Sequence, residues 1–257
     1  MNIFVFDIET IPDVASGRRL YGLEELDDAN VARAMFHRRA AESGGSEFLR
    51  HHLHRIVAIS VVLRTQDKFK VWSLGEPDSP ESELLQRFFD GIDRYTPTMV
   101  SWNGAGFDLP VIHYRSLLHG VAAARYWDTG TDDRDFKWNN YLSRFHERHT
   151  DLMDVLAGYQ PRATARLDEI ATMLGFPGKM GMSGAGVWDS YQAGDIEGIR
   201  NYCETDVLNT YLVFQRFELI RGHITPGLYE QACDQLRTAL GLENKPHLDE
   251  FLKYWAE

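Results

Sequence analysis

Apolar residues open the chain as a short run, Ile3 to Phe6, which meets Asp7 and Glu9 ahead of a Pro12 turn. The run predicts a buried strand ending near Glu9. Residues 20–44 are rich in Ala, Arg, Glu and Leu, a helical composition that Ser43-Gly44-Gly45-Ser46 interrupts. Ile56 to Leu63 is almost wholly apolar and β-branched, the strongest strand signal in the chain, and Asp67 to Ser73 follows a polar turn. The two predict a β-hairpin. Leu84, Leu85, Phe88, Phe89 and Ile92 recur at helical spacing, so Pro80 to Tyr95 is predicted as an amphipathic helix. Thr98 to Trp102 reads as a second buried strand, broken by Asn103-Gly104-Ala105-Gly106 before a helix over 108–118. Residues 120–150 are polar and aromatic without a clear period. A short helix is predicted at 167–174, a loop at 175–186 with five glycines, a long helix from Asp195 to about Arg221, and two helices after it. Strand, hairpin, helix, strand and further helices together predict an α/β fold with a mixed sheet.

At 257 residues, 44% hydrophobic and 25% charged, the chain has the composition of a globular protein large enough to bury its own core. It is expected to form one domain over 1–257, with a basic insertion around 13–55 and extra C-terminal helices over 222–257. The formal charge of −11 argues against coating nucleic acid or anionic membrane with the whole surface, but it leaves carboxylates to spare. Cys203 and Cys233 are too few for a disulfide framework or a zinc site. No segment has signal-peptide or membrane-span character, so a soluble, cytoplasmic protein with no membrane partner is expected.

The chemistry sits at three places. Asp7 and Glu9 stand two apart on a strand, so they share a face while Ile8 packs behind. Paired carboxylates repel unless a divalent cation with oxygen ligands neutralises them; a strand end turning to solvent explains the pair equally well. Trp102-Asn103-Gly104-Ala105-Gly106-Phe107-Asp108 is a strand-to-helix turn whose glycines permit close approach, with Asp108 readable as a helix cap. Tyr202 and Asp206 stand four apart on the long helix, on one flank of a buried stripe through Ile199, Cys203 and Val207. Cys203 itself is read as core packing. Each element alone has a plain structural use.

In this order the three motifs resemble the DEDD 3′–5′ exonucleases. Tyr202 marks the tyrosine branch; the sister branch would place histidine where Asn201 stands. The resemblance is nearest to the proofreading exonuclease domains of family B DNA polymerases, here as a stand-alone chain. Leu167-Asp168-Glu169-Ile170-Ala171 is similar to the helix between the second and third motifs. The resemblance implies a ribonuclease-H-like fold, a mixed five-stranded sheet flanked by helices. It further implies two Mg²⁺ or Mn²⁺ ions, with Asp7, Glu9 and Asp206 holding one, Asp7 bridging to a second supported by Asp108, and Tyr202 orienting or deprotonating the attacking water. Two metals about 3.5–4 Å apart serve both ends of an in-line phosphodiester displacement. The expected substrate is the single-stranded 3′ end of DNA, in preference to RNA, cut to nucleoside 5′-monophosphates. Two alternatives stay open: an exoribonuclease of the same fold, and a non-catalytic nucleic-acid-binding or accessory module.

Thr10, Asn103 and Phe107, beside the carboxylates, are expected substrate contacts, as are Arg38, Arg39 and Arg144. Arg38 and Arg39 lie in residues 31–55, which carry five arginines against two glutamates together with His37, His51, His52 and His54; phosphate contact and a solvated helix face explain that segment equally. Lys137, Arg144 and Arg148 with Trp138 and Tyr141 form a second basic-aromatic segment suited to stacking on single strands. Asp151 is expected to cap a helix or support the site from behind. The glycines at 175–186 lack the Lys-Ser/Thr of a phosphate loop, so no nucleoside-triphosphate site is expected.

Overall fold

The structure, a computed structural model, describes residues 2–66 and 68–256; Asp67, the start of the expected second hairpin arm, lies outside them. The elements are β1 (Ile3–Pro12), α1 (Val14–Tyr21), α2 (Asp28–Ser43), β2 (His54–Arg64), β3 (Phe69–Ser73), α3 (Glu81–Tyr95), β4 (Thr98–Ser101), α4 (Asp108–His119), α5 (Ala124–Trp127), β5 (His149–Asp151), α6 (Leu152–Leu156), α7 (Leu167–Met173), α8 (Val187–Gln192), α9 (Ile196–Ile220), α10 (Pro226–Glu243) and α11 (Pro246–Ala256). Among the described residues the strands form one five-stranded sheet in the order β3-β2-β1-β4-β5. β2 runs antiparallel to both β1 and β3, whereas β1, β4 and β5 are parallel. This is the mixed, helix-flanked sheet of a ribonuclease-H-like fold.

Alternation along β1 sorts the core into two layers. Phe4, Phe6 and Ile8 face α3 and α4, where Phe6 and Phe88 meet edge to face at 5.2 Å. Ile3 and Val5 face α9, with α7, α10 and α11 behind it. Each fully buried aromatic or aliphatic side chain contributes about 1.5–3 kcal/mol. The segment 14–53 is pinned to this frame through Arg115, which is buried and ion-paired to Asp13 and to Glu81. Asp13 also caps α1 by accepting from Ser16 N.

The long helix begins where its cap places it, with Asp195 accepting from Gly198 N. β1 is longer than the apolar run implies, because β2 pairs with it as far as Pro12. β5 and α8 lack a periodic signal of their own. No helix among the described residues is long and apolar enough to cross a membrane.

Candidate active site

β4 accompanies β1 only from Ile3 to Val5. Beyond that point β4 turns away, and the Ile8 N–H is taken up by the Asp108 Oδ1 carboxylate at 3.1 Å. The turn that delivers Asp108 is shaped by its own residues. Asn103 adopts a left-handed φ of 62°, and a Cβ on Gly104 would collide with the Ser101 side chain. Asp151, at the end of β5, accepts from Asn103 N at 2.9 Å and Ala105 N at 2.8 Å, and from Met153 N at the start of α6. It therefore both caps α6 and fixes the turn. Asp108 begins α4, where a carboxylate also faces the positive end of the helix.

Asp7 and Glu9 lie on the β1 face that α9 covers, and α9 brings Tyr202, Cys203 and Asp206 to it. Glu9 and Asp108 are buried, and Asp7 and Asp206 half-buried. Burial first, then Asp108, Glu9 and Asp206, push the Asp7 carboxyl well above its ordinary range. Burial followed by Asp206 and Asp108 does the same to Glu9. Asp108 is pushed up to about 7 and Asp206 to about 6, burial being the main cause in each. Carboxylates drawn from β1, α4 and α9 thus crowd one place. Burial and the neighbouring carboxylates, Asp206 first, also drive the Tyr202 phenol upward.

The Cys203 thiol, 3.6 Å from Asp7 Oδ2, donates to it; burial, then Asp7 and Glu9, push its pKa well above the ordinary range, so it stays a thiol. Asp7, Glu9 and Cys203 are grouped closely enough to share one ion. A hard cation would take the carboxylate oxygens and leave the sulfur.

The carboxylates open into a cleft of about 460 Å³, bordered by Asp7, Asp108, Tyr202 and Asp206 and flanked by Asn103 and Phe107. Two cations of the cleft wall, Arg166 and Lys179, are not marked out by the sequence pattern. Lys179 draws the Asp206 carboxyl downward. Its place depends on buried Asn209, whose amide brackets Gly178, accepting from its N–H at 3.1 Å and donating to its carbonyl at 2.8 Å. The one signal for it is a lysine set among glycines between α7 and α8.

The remaining predicted contacts lie elsewhere. Arg38 is 3.2 Å from Glu42 and sits over Tyr21, while Arg39 donates to Phe48 O at 2.8 Å; neither borders the cleft. Arg144 packs over Phe145 and Tyr159 beside a separate groove. Tyr141 is buried and donates to Pro97 O, whereas Trp138 is exposed. The three histidines diverge: His51 donates to Gly106 O, His52 lies edge-on to Tyr114, and His54 bonds Thr10 and Leu49.

A family model described as a predicted 3′–5′ exonuclease related to the exonuclease domain of PolB matches residues 46–255. The match begins after β1, so Asp7 and Glu9 precede it. The catalytic chain of DNA polymerase epsilon from Saccharomyces cerevisiae is 49% identical over 45 residues, 17% of this chain and 2% of that polymerase. The family B DNA polymerase of the archaeon Pyrobaculum calidifontis is 15% identical at a TM-score of 0.48, over 98% of this chain and 27% of the polymerase. The chain thus spans a small part of either relative.

Proposed function

The chain belongs to the family of predicted 3′–5′ exonucleases related to the exonuclease domain of PolB, and we propose that it is a metal-dependent 3′–5′ exonuclease that hydrolyses single-stranded ends, DNA in preference to RNA. The observation that carries this reading is the crowding of Asp7, Glu9, Asp108 and Asp206, each raised in pKa, with Asp7, Asp108 and Asp206 bordering one cleft. Packed carboxylates of this kind oppose folding unless a cation compensates them. The all-oxygen donor set suits Mg²⁺ or Mn²⁺.

Asp7, Glu9 and Asp206 would hold one ion, with Asp7 and Asp108 serving a second. Bound there, the ions supply Lewis-acid activation of water and neutralise charge on the departing oxygen. The chain's own side chains do the rest. The Tyr202 hydroxyl, kept protonated by its surroundings, orients the attacking water. Lys179 and Arg166 place positive charge in the cleft wall for the phosphates. Asn103, Thr10 and Phe107 position the strand end. We read residues 1–257 as one unit built around this site.

A 5′-labelled single strand of DNA, and of RNA beside it, incubated with Mg²⁺ or Mn²⁺, should shorten stepwise from the 3′ end and release nucleoside 5′-monophosphates. Chelation should stop the reaction. Intact substrate at high enzyme concentration with both metals would refute the proposal, and faster loss of RNA than of DNA would reverse the substrate preference.

A further inference from the structure

Behind the cleft wall the carboxylate cluster meets sulfur. Cys203 is fully buried, and its Sγ lies 3.6 Å from Asp7 Oδ2. One carboxylate oxygen from each of Asp7 and Glu9 and the Cys203 sulfur all lie within 4.8 Å of one another. Glu9 is only 7% exposed, and among the described residues no hydrogen bond or ion pair reaches its carboxyl. Asp7 borders the cleft, but Glu9 and Cys203 do not.

A buried carboxyl turned without a partner toward a thiol and a second carboxyl is costly unless something joins the three. The spacing fits a tetrahedral ion. Zinc–sulfur bonds of about 2.3 Å and zinc–oxygen bonds of roughly 2.0–2.2 Å, opened to the tetrahedral angle, set the two ligand atoms about 3.5 Å apart. The 3.6 Å between Sγ and Oδ2 matches that edge, so exchanging the thiol proton for an ion asks little movement of either side chain. One cysteine suffices where carboxylates complete the set. The carboxylates around the thiol repel a thiolate but attract a dication, so the sulfur is inert until such an ion arrives.

Mg²⁺ leaves this sulfur aside, whereas a softer dication takes it. We propose that Asp7, Glu9 and Cys203 form a thiolate site for soft divalent ions, Zn²⁺ foremost, and that an ion held there inhibits hydrolysis. The inhibition rests on the exonuclease reading; the binding does not. Binding forms a metal–sulfur bond and breaks the S–H bond, the proton passing to solvent, as does any proton the crowded carboxylates hold. No electron is transferred. The ion draws Asp7 Oδ2 toward Sγ and behind the cleft wall, so Asp7 no longer serves an ion shared with Asp108.

Cd²⁺ reports the bond directly, because a cadmium–thiolate pair absorbs in the ultraviolet by charge transfer and a cadmium–carboxylate pair does not. Titrated into protein freed of metal by chelator, Cd²⁺ should raise that band to an equimolar endpoint. The band should persist in Cys233→Ala, disappear in Cys203→Ala and Cys203→Ser, and yield to Zn²⁺ but not to a large excess of Mg²⁺. Circular dichroism verifies the fold of each variant. In Mg²⁺-supported cutting of a 5′-labelled strand, the Zn²⁺ concentration that halves each protein's own rate should rise at least about tenfold from the parent to Cys203→Ala, the lower end of what losing even an outer-sphere partner costs a metal site. No band in the parent, or a band that survives in Cys203→Ala, would overturn the sulfur site. Equal Zn²⁺ sensitivity of the parent and Cys203→Ala would overturn the inhibitory role. A parent that cuts neither DNA nor RNA with Mg²⁺ or Mn²⁺ would remove the exonuclease reading and the inhibition with it, while the Cd²⁺ band would still decide the sulfur site.

Discussion

The Tyr202 hydroxyl lies against the Asp206 carboxylate, one helical turn along α9, and burial together with Asp206, Glu9 and Asp7 opposes its ionisation. On the proposed exonuclease reading, a phenol so placed would orient water and not remove its proton. Tyr202→Phe keeps the ring and deletes that orientation, so single-turnover hydrolysis should slow by about 10- to 100-fold and keep the parental pH profile. Parental rates would make Tyr202 structural only. At this scale the sequence was legible where chemistry follows from period: spacings of two on a strand and four on a helix decide which side chains share a face. It was mute where a residue's position depends on a distant clamp. Lys179 reaches the cleft because Asn209, thirty-one positions away from Gly178, holds that glycine in place, and His54 reaches Thr10 across the β1–β2 pairing.

Among the elements, α9 carries two site residues and is itself held from the far side. Glu204, buried within it, accepts from Ser73 N at 2.9 Å and lies 2.8 Å from His247 and 3.3 Å from Lys245, which flank the start of α11. These partners, His247 first, outweigh burial and hold its carboxyl down at about 2. A carboxyl lowered on folding stabilises fully above its ordinary value of 4.5, and that contribution is lost as pH falls from there toward 2. Glu204→Gln should cost about 1–3 kcal/mol in urea denaturation at pH 7, and the gap to the parent should narrow as pH approaches 3. Equal stability at pH 7 would mean the C-terminal helices are not anchored through Glu204. The apolar periods revealed the long helices and the central strands. β5 escaped notice because His149-Thr150-Asp151 has no apolar run of its own and exists through its pairing with β4. α8 was hidden by the glycines before it.

Across the whole molecule, a chain of net charge −11 concentrates four carboxylates at the end of one sheet. Asp108 at about 7 and Asp206 at about 6, against an ordinary 3.8, bind protons more tightly folded than unfolded. Without metal they therefore oppose folding increasingly as pH rises from about 4 through 7. A cation that binds the native state at a hundredfold excess over Kd adds about 2.7 kcal/mol, and for a chain of this size each ~1 kcal/mol raises Tm by roughly 2 °C. The direct measurement is the melting temperature of the parent and of Asp7→Asn at pH 7.5, each in chelator and in Mn²⁺. The parent should gain roughly 5 °C with Mn²⁺, while Asp7→Asn should melt above the parent in chelator and gain less from the metal. A parent indifferent to Mn²⁺, with Asp7→Asn melting below it in both conditions, would contradict a single metal site built from these carboxylates.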